Sequence, residues 1–181
     1  MTKLGRGGLL KGARYVASPN CDERPAEAEV TLLLLHSISL PPGEYGGDAI
    51  ERLFTNRLDP QAHPYFREVS SLKVSAHFLV RRGGELAQFV ALGRRAWHAG
   101  ASSWRGRSRC NDYSIGIELE GTDDTPFDDA QYEKLAVLIK SLRSFFPLRD
   151  LAAHSDVAPG RKTDPGVHFD WARLLSGLSR A

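Results

Sequence analysis

The segment that most constrains this chain is Val30-Thr31-Leu32-Leu33-Leu34-Leu35, a continuous apolar run that ends in His36 and gives way to Pro41, Pro42 and Gly43. It does not alternate, it is short, and turn-forming residues bound it. Those features fit a strand covered on both faces rather than a half-exposed one. The run is far too short to cross a bilayer.

The segments around it supply the rest of a layered fold. Val74 to Val80 alternates, with Val74, Ala76, Phe78 and Val80 on one face and Ser75, His77 and Leu79 on the other. Arg82-Gly83-Gly84-Glu85 is a hairpin turn signal, and Leu86 to Leu92 reads as the returning strand. Ser114 to Glu120 alternates again: Ile115, Ile117 and Leu119 face the core, so Gly116, Glu118 and Glu120 share the other face. Asp48 to Asn56 predicts a short helix with Asp48 as its cap and Ile50, Leu53 and Phe54 on its apolar side. Asp128 to Phe146 is the clearest helix. Asp128 and Gln131 form a variant capping box, Tyr132, Leu135, Ala136, Ile139, Leu142 and Phe146 recur at helical spacing, and Pro147 stops it. Asp170 to Leu178 reads as a last amphipathic helix, and residues 1–29 as an irregular, turn-rich lead-in. The expectation is one α/β domain over 1–181, of α+β character, with a mixed central sheet flanked by helices.

Bulk properties narrow the partners. Hydrophobic residues are 41% and charged residues 25% of the 181, an ordinary globular balance. The net charge of +2 is too small to argue for nucleic acid. Met1 to Lys11 is basic but glycine-broken, with no apolar stretch of the signal-peptide kind. Cys21 and Cys110 read as two free thiols in a reducing compartment. The expected protein is soluble and cytoplasmic, acts on a small-molecule substrate, and has no nucleic acid, membrane or obligate protein partner.

Six histidines are the first place to look for chemistry: His36, His63, His77, His98, His154 and His168. His36 stands where a buried strand meets a Pro/Gly loop, a place where rigid scaffolds present functional groups. His154 opens the polar stretch Ser155 to Gly166, which contains Asp164. Two histidines and one carboxylate, with a fourth position open, form a common catalytic zinc set, and zinc would acidify water enough to provide a nucleophile at neutral pH. The residues by themselves leave Thr163-Asp164-Pro165-Gly166 reading more readily as a simple turn.

Glu118 is the candidate general base, since its strand has core on the other face and could aim it into a cleft. Glu120, on the same face, is a rival. Lys162 is the candidate oxyanion stabiliser, two residues from Asp164, so that an extended segment would point both side chains the same way. Arg94, Arg95, Arg105, Arg107 and Arg109 interleave with Trp97 and Trp104. Such a stretch could bind single-stranded nucleic acid or a carboxylate-bearing substrate, and the small net charge favours the second. Trp97 offers a flat surface that stacks on sugar rings, though core packing fits it nearly as well.

Five segments together resemble a known family. They are Leu34-Leu35-His36-Ser37-Ile38-Ser39-Leu40-Pro41-Pro42-Gly43-Glu44-Tyr45-Gly46-Gly47, Val74 to Leu79, Arg95-Ala96-Trp97-His98-Ala99-Gly100, Cys110 to Asp123, and Arg161-Lys162-Thr163-Asp164-Pro165-Gly166. In this order they are similar to the AmpD family of cytosolic 1,6-anhydro-N-acetylmuramoyl-L-alanine amidases, over about Gly12 to Leu174. The resemblance implies the zinc amidase and peptidoglycan-recognition fold, a zinc ion on His36, His154 and Asp164, Glu118 as base and Lys162 as transition-state stabiliser. It implies cleavage of the amide between the lactyl group of anhydro-N-acetylmuramic acid and L-alanine. That reaction serves recycling of cell-wall fragments and acts indirectly on β-lactamase induction.

Trp97 and Arg109 match positions near the family's substrate site. Ser37 stands where Asn is usual, Lys73 where Arg is usual, and Ala153-His154-Ser155-Asp156 where Gly-His-Cys-Asp or Gly-His-Cys-Asn is usual. These departures bear on substrate affinity, because Lys does not reproduce a bidentate Arg contact, and leave the ligands and base intact. Two other readings share the fold. A non-catalytic peptidoglycan-fragment binding module would have lost the metal, and an extracellular lytic amidase would carry a signal peptide or wall-binding domain.

Overall fold

The computed structural model describes residues 5–179; of the lead-in, residues 1–4 lie outside the described residues, as do 180 and 181 at the other end. In chain order the elements are β1 (Arg14–Tyr15), β2 (Cys21–Glu23), β3 (Leu32–Ile38), α1 (Ala49–Phe54), α2 (Phe66–Val69), β4 (Phe78–Val80), β5 (Leu86–Gln88), β6 (Arg94–Ala96), β7 (Ser103–Trp104), β8 (Arg107–Ser108), β9 (Ser114–Glu120), α3 (Asp129–Arg143), β10 (Asp150–Ala153), α4 (His154–Val157) and α5 (Trp171–Ser179). Six strands form one sheet in the order β1-β5-β4-β9-β3-β10. β4, β9, β3 and β10 run parallel, while β5 is antiparallel to β4 and β1 is parallel to β5. The sheet is therefore mixed, as expected.

The apolar run does become a strand buried on both faces. Leu33 and Leu35 join Ile115, Ile117, Leu119, Phe78 and Val80 against Leu135, Ile139 and Leu142 of α3 and Leu174 of α5. Leu32 and Leu34 point the other way, against Ala99, Cys110, Tyr113, Ala152 and Val157. Each fully buried Leu or Ile contributes about 1.5–3 kcal/mol relative to exposure, so both layers stabilise β3. A third cluster, with Phe54, Leu79, Phe89 and Val90, closes the fold near α1. Because side chains alternate, His36 falls on the face of Leu32 and Leu34, away from α3, and so do Gly116, Glu118 and Glu120 of β9. That face is not solvent: all seven β9 residues are buried.

Several expectations need correction. The strand does not stop at His36 but runs on to Ile38. The lead-in is not wholly irregular, since β1 adds an edge to the sheet and β2 pairs with β6. Strands of two or three residues carry no periodicity to read. Only Phe78–Val80 of the Val74–Val80 segment is ladder, because Ser75 bonds Trp97 while His77 bonds Gly116, splitting the backbone between two neighbours. Asp48 precedes α1 without capping it; its carboxylate pairs with Arg52 at 2.7 Å instead. The long helix ends at Arg143, three residues short of Phe146, consistent with the bias of a residue before proline away from helix. Gln131 at its start does more than cap. Its side-chain carbonyl accepts from Asp128, and its amide donates to Val80 and Glu120 carbonyls, tying α3 to the ends of β4 and β9. No helix among the described residues is long and apolar enough to cross a membrane.

Candidate active site

Strand register assembles the site. On parallel neighbours β9 and β3, Glu118 lies opposite His36. On β10, Ala153 lies opposite Leu35, so the next residue, His154, comes level with His36 at the start of α4. Glu118, His36 and His154 thus stand side by side at the carboxyl ends of three adjacent parallel strands, where open α/β sheets place their ligands. Asp164 returns to them through the loop after α4, where its carbonyl accepts from the Ser155 N–H at 3.1 Å.

The three expected ligand atoms converge. His36 Nδ1 is 3.0 Å from His154 Nδ1, and Asp164 Oδ2 is 3.2 Å from the first and 3.1 Å from the second. A tetrahedral zinc ion with bonds of about 2.0–2.1 Å spaces its ligand atoms roughly 3.3 Å apart, so this triangle fits such an ion within a few tenths of an ångström. Both histidines are buried and Asp164 is partly exposed. Burial lowers the pKa of His36, partly opposed by its bond to Asp164, which favours the neutral form a metal needs. Burial works against the charge of Asp164, but the hydrogen bonds of His154 and His36 outweigh it and hold the carboxyl below its usual range.

Glu118 lies in the same cavity. Its Oε2 is buried without a hydrogen-bond partner. Burial pushes its carboxyl well above the usual range, the charge of Asp164 adds to this, and the Lys162 ammonium opposes it. An unpartnered carboxylate oxygen beside a ligand triangle is what a proton-transfer group requires. Glu120, its rival, is fully engaged: Oε1 accepts from Arg81 and Gly46, each at 2.8 Å, and Oε2 from the Arg82 N–H at 3.2 Å. Its role is to hold the Gly46 loop and the β4–β5 turn. Glu120→Ala should therefore lower unfolding stability by about 3 kcal/mol, as breaking a buried pair does, and leave the turnover of the folded protein nearly intact. Denaturant melts and a specific-activity assay on the same preparation check this; a collapse of turnover without loss of stability would return the base role to Glu120.

A cavity of about 480 Å³ contains His36, Glu118, His154, Lys162 and Asp164, and its walls include Ser37, Trp97, Tyr65, Leu72 and Val74. Lys162 reaches it from the segment after α4, where its N–H donates to the Ala158 carbonyl at 3.1 Å. Ser37 donates to Asp123 at 3.1 Å. Lys73 lines a smaller adjoining cavity of about 210 Å³ together with Trp97, His98, His154 and Lys162. Arg109 is not among the residues lining either; 70% of its side chain is exposed and it pairs with Asp112 at 3.1 Å.

Several arginines of the rich stretch have partners within the fold. Arg94 pairs with Glu23, Arg95 with Asp22 and Asp112, and Arg105 with Asp150, while Arg107 stacks on Tyr113. The carboxylate partners come from the lead-in, β10 and the turn before β9, which no local pattern reveals. Trp97 is half-buried, and its indole N–H donates to Asp22 at 3.1 Å. Cys21 and Cys110 are both free. Sequence reasoning also missed Tyr65, Asp123 and His98. His98 bonds His36 at 3.0 Å, and its only sequence cue was its place in the Trp97-His98-Ala99-Gly100 segment.

His77 is a third buried histidine, outside the ligand set. Its Nδ1 accepts from the Gly116 N–H at 3.1 Å, and Arg24 and the Arg94 carbonyl lie 3.0 and 3.1 Å from Nε2. Burial, aided by the Arg24 charge, pushes its pKa down to about 3. Above the unfolded value of 6.5 both states are neutral; below it the unfolded chain binds a proton that the folded protein refuses. Stability therefore falls on acidification from pH 6.5 toward pH 3, by about 1.4 kcal/mol per pH unit for this one proton. Urea unfolding near pH 7 and near pH 5 should lose about 2 kcal/mol less in His77→Gln than in the parent protein, and equal losses would refute the assignment.

Comparison with known proteins agrees with this geometry. The sequence profile of the N-acetylmuramoyl-L-alanine amidase family matches residues 26–167. The chain is 56% identical over 175 residues to the 1,6-anhydro-N-acetylmuramyl-L-alanine amidase AmpD of Escherichia coli (strain K12), covering 96% of both chains. A crystal structure of an AmpD selenomethionine derivative superposes with a TM-score of 0.94 at 51% identity, covering 98% of this chain and 100% of that one. The amidase AmiD from E. coli, in complex with the substrate anhydro-N-acetylmuramic acid-L-Ala-D-gamma-Glu-L-Lys, superposes with a TM-score of 0.61 at 28% identity, covering 86% of this chain and 60% of that one. Together with the His, His, Asp triangle and the unpartnered glutamate beside it, these likenesses make the chain an enzyme of the N-acetylmuramoyl-L-alanine amidase family, of its AmpD type.

Proposed function

We propose that this enzyme is a zinc-dependent amidase that cleaves the amide between the lactyl group of 1,6-anhydro-N-acetylmuramic acid and L-alanine in soluble muropeptides, in cytoplasmic recycling of cell-wall fragments. The single observation that carries the reading is the triangle of His36 Nδ1, His154 Nδ1 and Asp164 Oδ2, 3.0–3.2 Å on a side, with the free Glu118 Oε2 in the same cavity. His36, His154 and Asp164 would hold the ion. Zinc, when bound, supplies Lewis acidity that polarises a carbonyl and acidifies water toward neutral pH.

The chain's own residues do the rest. Glu118 removes a proton from the attacking water and delivers it to the nitrogen of the departing L-alanine. Its raised pKa matches that second duty, because a carboxyl that holds its proton can give it to an amine. Lys162 sets its ammonium toward the carbonyl oxygen as negative charge builds there. Trp97 presents a ring face to the sugar, and Ser37 and Lys73 meet the peptide stem or lactyl end. Arg109, 70% exposed and not lining these two cavities, is the remaining substrate-binding candidate, toward a carboxylate of the substrate.

The test is mass spectrometry of products from soluble anhydro-muropeptides of different stem length, with and without chelator. The expected result is release of anhydro-N-acetylmuramic acid species and free stem peptides, abolished by chelator and restored by zinc. Equal rates on intact murein sacculi would overturn the substrate assignment. A protein that binds the fragment, takes up no zinc and cleaves nothing would be the non-catalytic binding module instead.

A further inference from the structure

Metal-ligating histidines usually give their second ring N–H to a carboxylate, a backbone carbonyl or water, and that partner sets which nitrogen faces the metal. His154 follows the pattern: its Nε2 lies 3.2 Å from the Ala99 carbonyl. His36 does not. Its Nε2 lies 3.0 Å from Nδ1 of a third imidazole, His98, with the two rings at 87°. The partners of both ligands are thus consecutive residues, 98 and 99.

We propose that His98-Ala99 is a single orienting unit for both histidine ligands, in which His98 is a positioning residue that fixes the tautomer and ring plane of His36, and that position 116 is glycine because the His98 ring occupies its side-chain space. The inference rests on the assignment of the metal to His36, His154 and Asp164.

Proton counting supports the direction of the bond. His36 Nδ1 must keep its lone pair for the metal, so its one proton sits on Nε2 and is donated to His98 Nδ1. The His98 proton then sits on Nε2, 3.4 Å from Ser114 Oγ. One side chain clamps the unit: Asn111 Oδ1 accepts from the N–H of His98 at 3.2 Å and of Ala99 at 2.8 Å. Arg161 steadies the other end, donating to the Ala99 carbonyl at 2.6 Å and to Ala101 at 2.7 Å. The ring is seated on β9, where a Cβ added to Gly116 would come within 2.5–2.6 Å of His98 Cγ, Cδ2 and Nδ1. Any other residue there must displace the ring, two positions from Glu118.

Two measurements test this. Long-range ¹⁵N–¹H NMR of the zinc-loaded parent protein should find His98 protonated on Nε2 with its Nδ1 accepting from His36 Nε2–H, and a His98 protonated on Nδ1 would overturn the proposal without any variant. Zinc dissociation constants from chelator competition should rise about 10- to 100-fold in His98→Phe and Gly116→Ala, while His98→Asn, whose Oδ1 can stand where Nδ1 stood, stays within about threefold. Parent-like zinc affinity in His98→Phe, or His98→Asn as weak as His98→Phe, would overturn it. If the parent protein itself takes up no zinc, the metal assignment fails, whereas a zinc-loaded protein with His98 protonated on Nδ1 refutes the orienting role alone.

Discussion

Glu118→Gln should leave zinc in place and lower kcat by about 100- to 10,000-fold, the contribution of one positioned proton-transfer group. The structure makes this a clean substitution. Gln is isosteric, Glu118 lies outside the ligand triangle, and its Oε2 has no hydrogen-bond partner whose loss would disturb the fold. Burial already holds the carboxyl toward its neutral form, so a neutral amide removes little electrostatics from the metal-free protein. KM should change far less than kcat, because the group acts in the transition state rather than in binding. Steady-state kinetics with zinc content measured on the same sample settle it. Near-parent turnover would mean that the proton travels by another group.

Asp164→Ala should abolish both zinc uptake and turnover. Asp164 supplies the only charge in the triangle and the oxygen shared by the two imidazoles, at 3.1 and 3.2 Å. Without it, two neutral Nδ1 atoms remain 3.0 Å apart with no anion to offset the ion. The same loss appears in melting experiments. A ligand at 1,000 times its dissociation constant stabilises a fold by about 4 kcal/mol, so added zinc should raise the melting temperature of the parent protein and not of the variant. Full zinc occupancy in Asp164→Ala would remove it from the ligand set. Because its carboxyl is held below the usual range, Asp164 stays an anion through any working pH.

These outcomes depend on elements that were unequally readable from the chain. β3, β9 and α3 are legible because each is long enough for its pattern to exceed chance: an unbroken apolar run, a seven-residue alternation, and a capped stretch at helical spacing. The face of Glu118 follows from that alternation alone. β1 and β2 escape, because two or three residues have no period and their pairing is decided by β5 and β6 far along the chain. The partners of the arginine stretch are hidden for the same reason. Its charges suggest a substrate, and their partners, Asp22, Glu23 and Asp150, are distant in sequence.

Local chemistry determined which side chains were available: a histidine in the doubly buried strand, a glutamate on the face that strand pairing leaves away from α3, a histidine and an aspartate bracketing a polar loop. The resemblance carried by five ordered segments said what such a set is for. Only the tertiary structure decided the selection among them. It brings His36 and His154, 118 residues apart, to 3.0 Å; it occupies Glu120 with Arg81 and leaves Glu118 free; it makes Asp164, which does sit in a turn, the third vertex; and it sets His98 behind His36 over a glycine. The physical reason is that alternation and composition fix the face and chemistry of a residue, whereas strand order and register fix its neighbours. A metal or proton-transfer site consists of its neighbours, at separations that a shift of one residue in register would destroy.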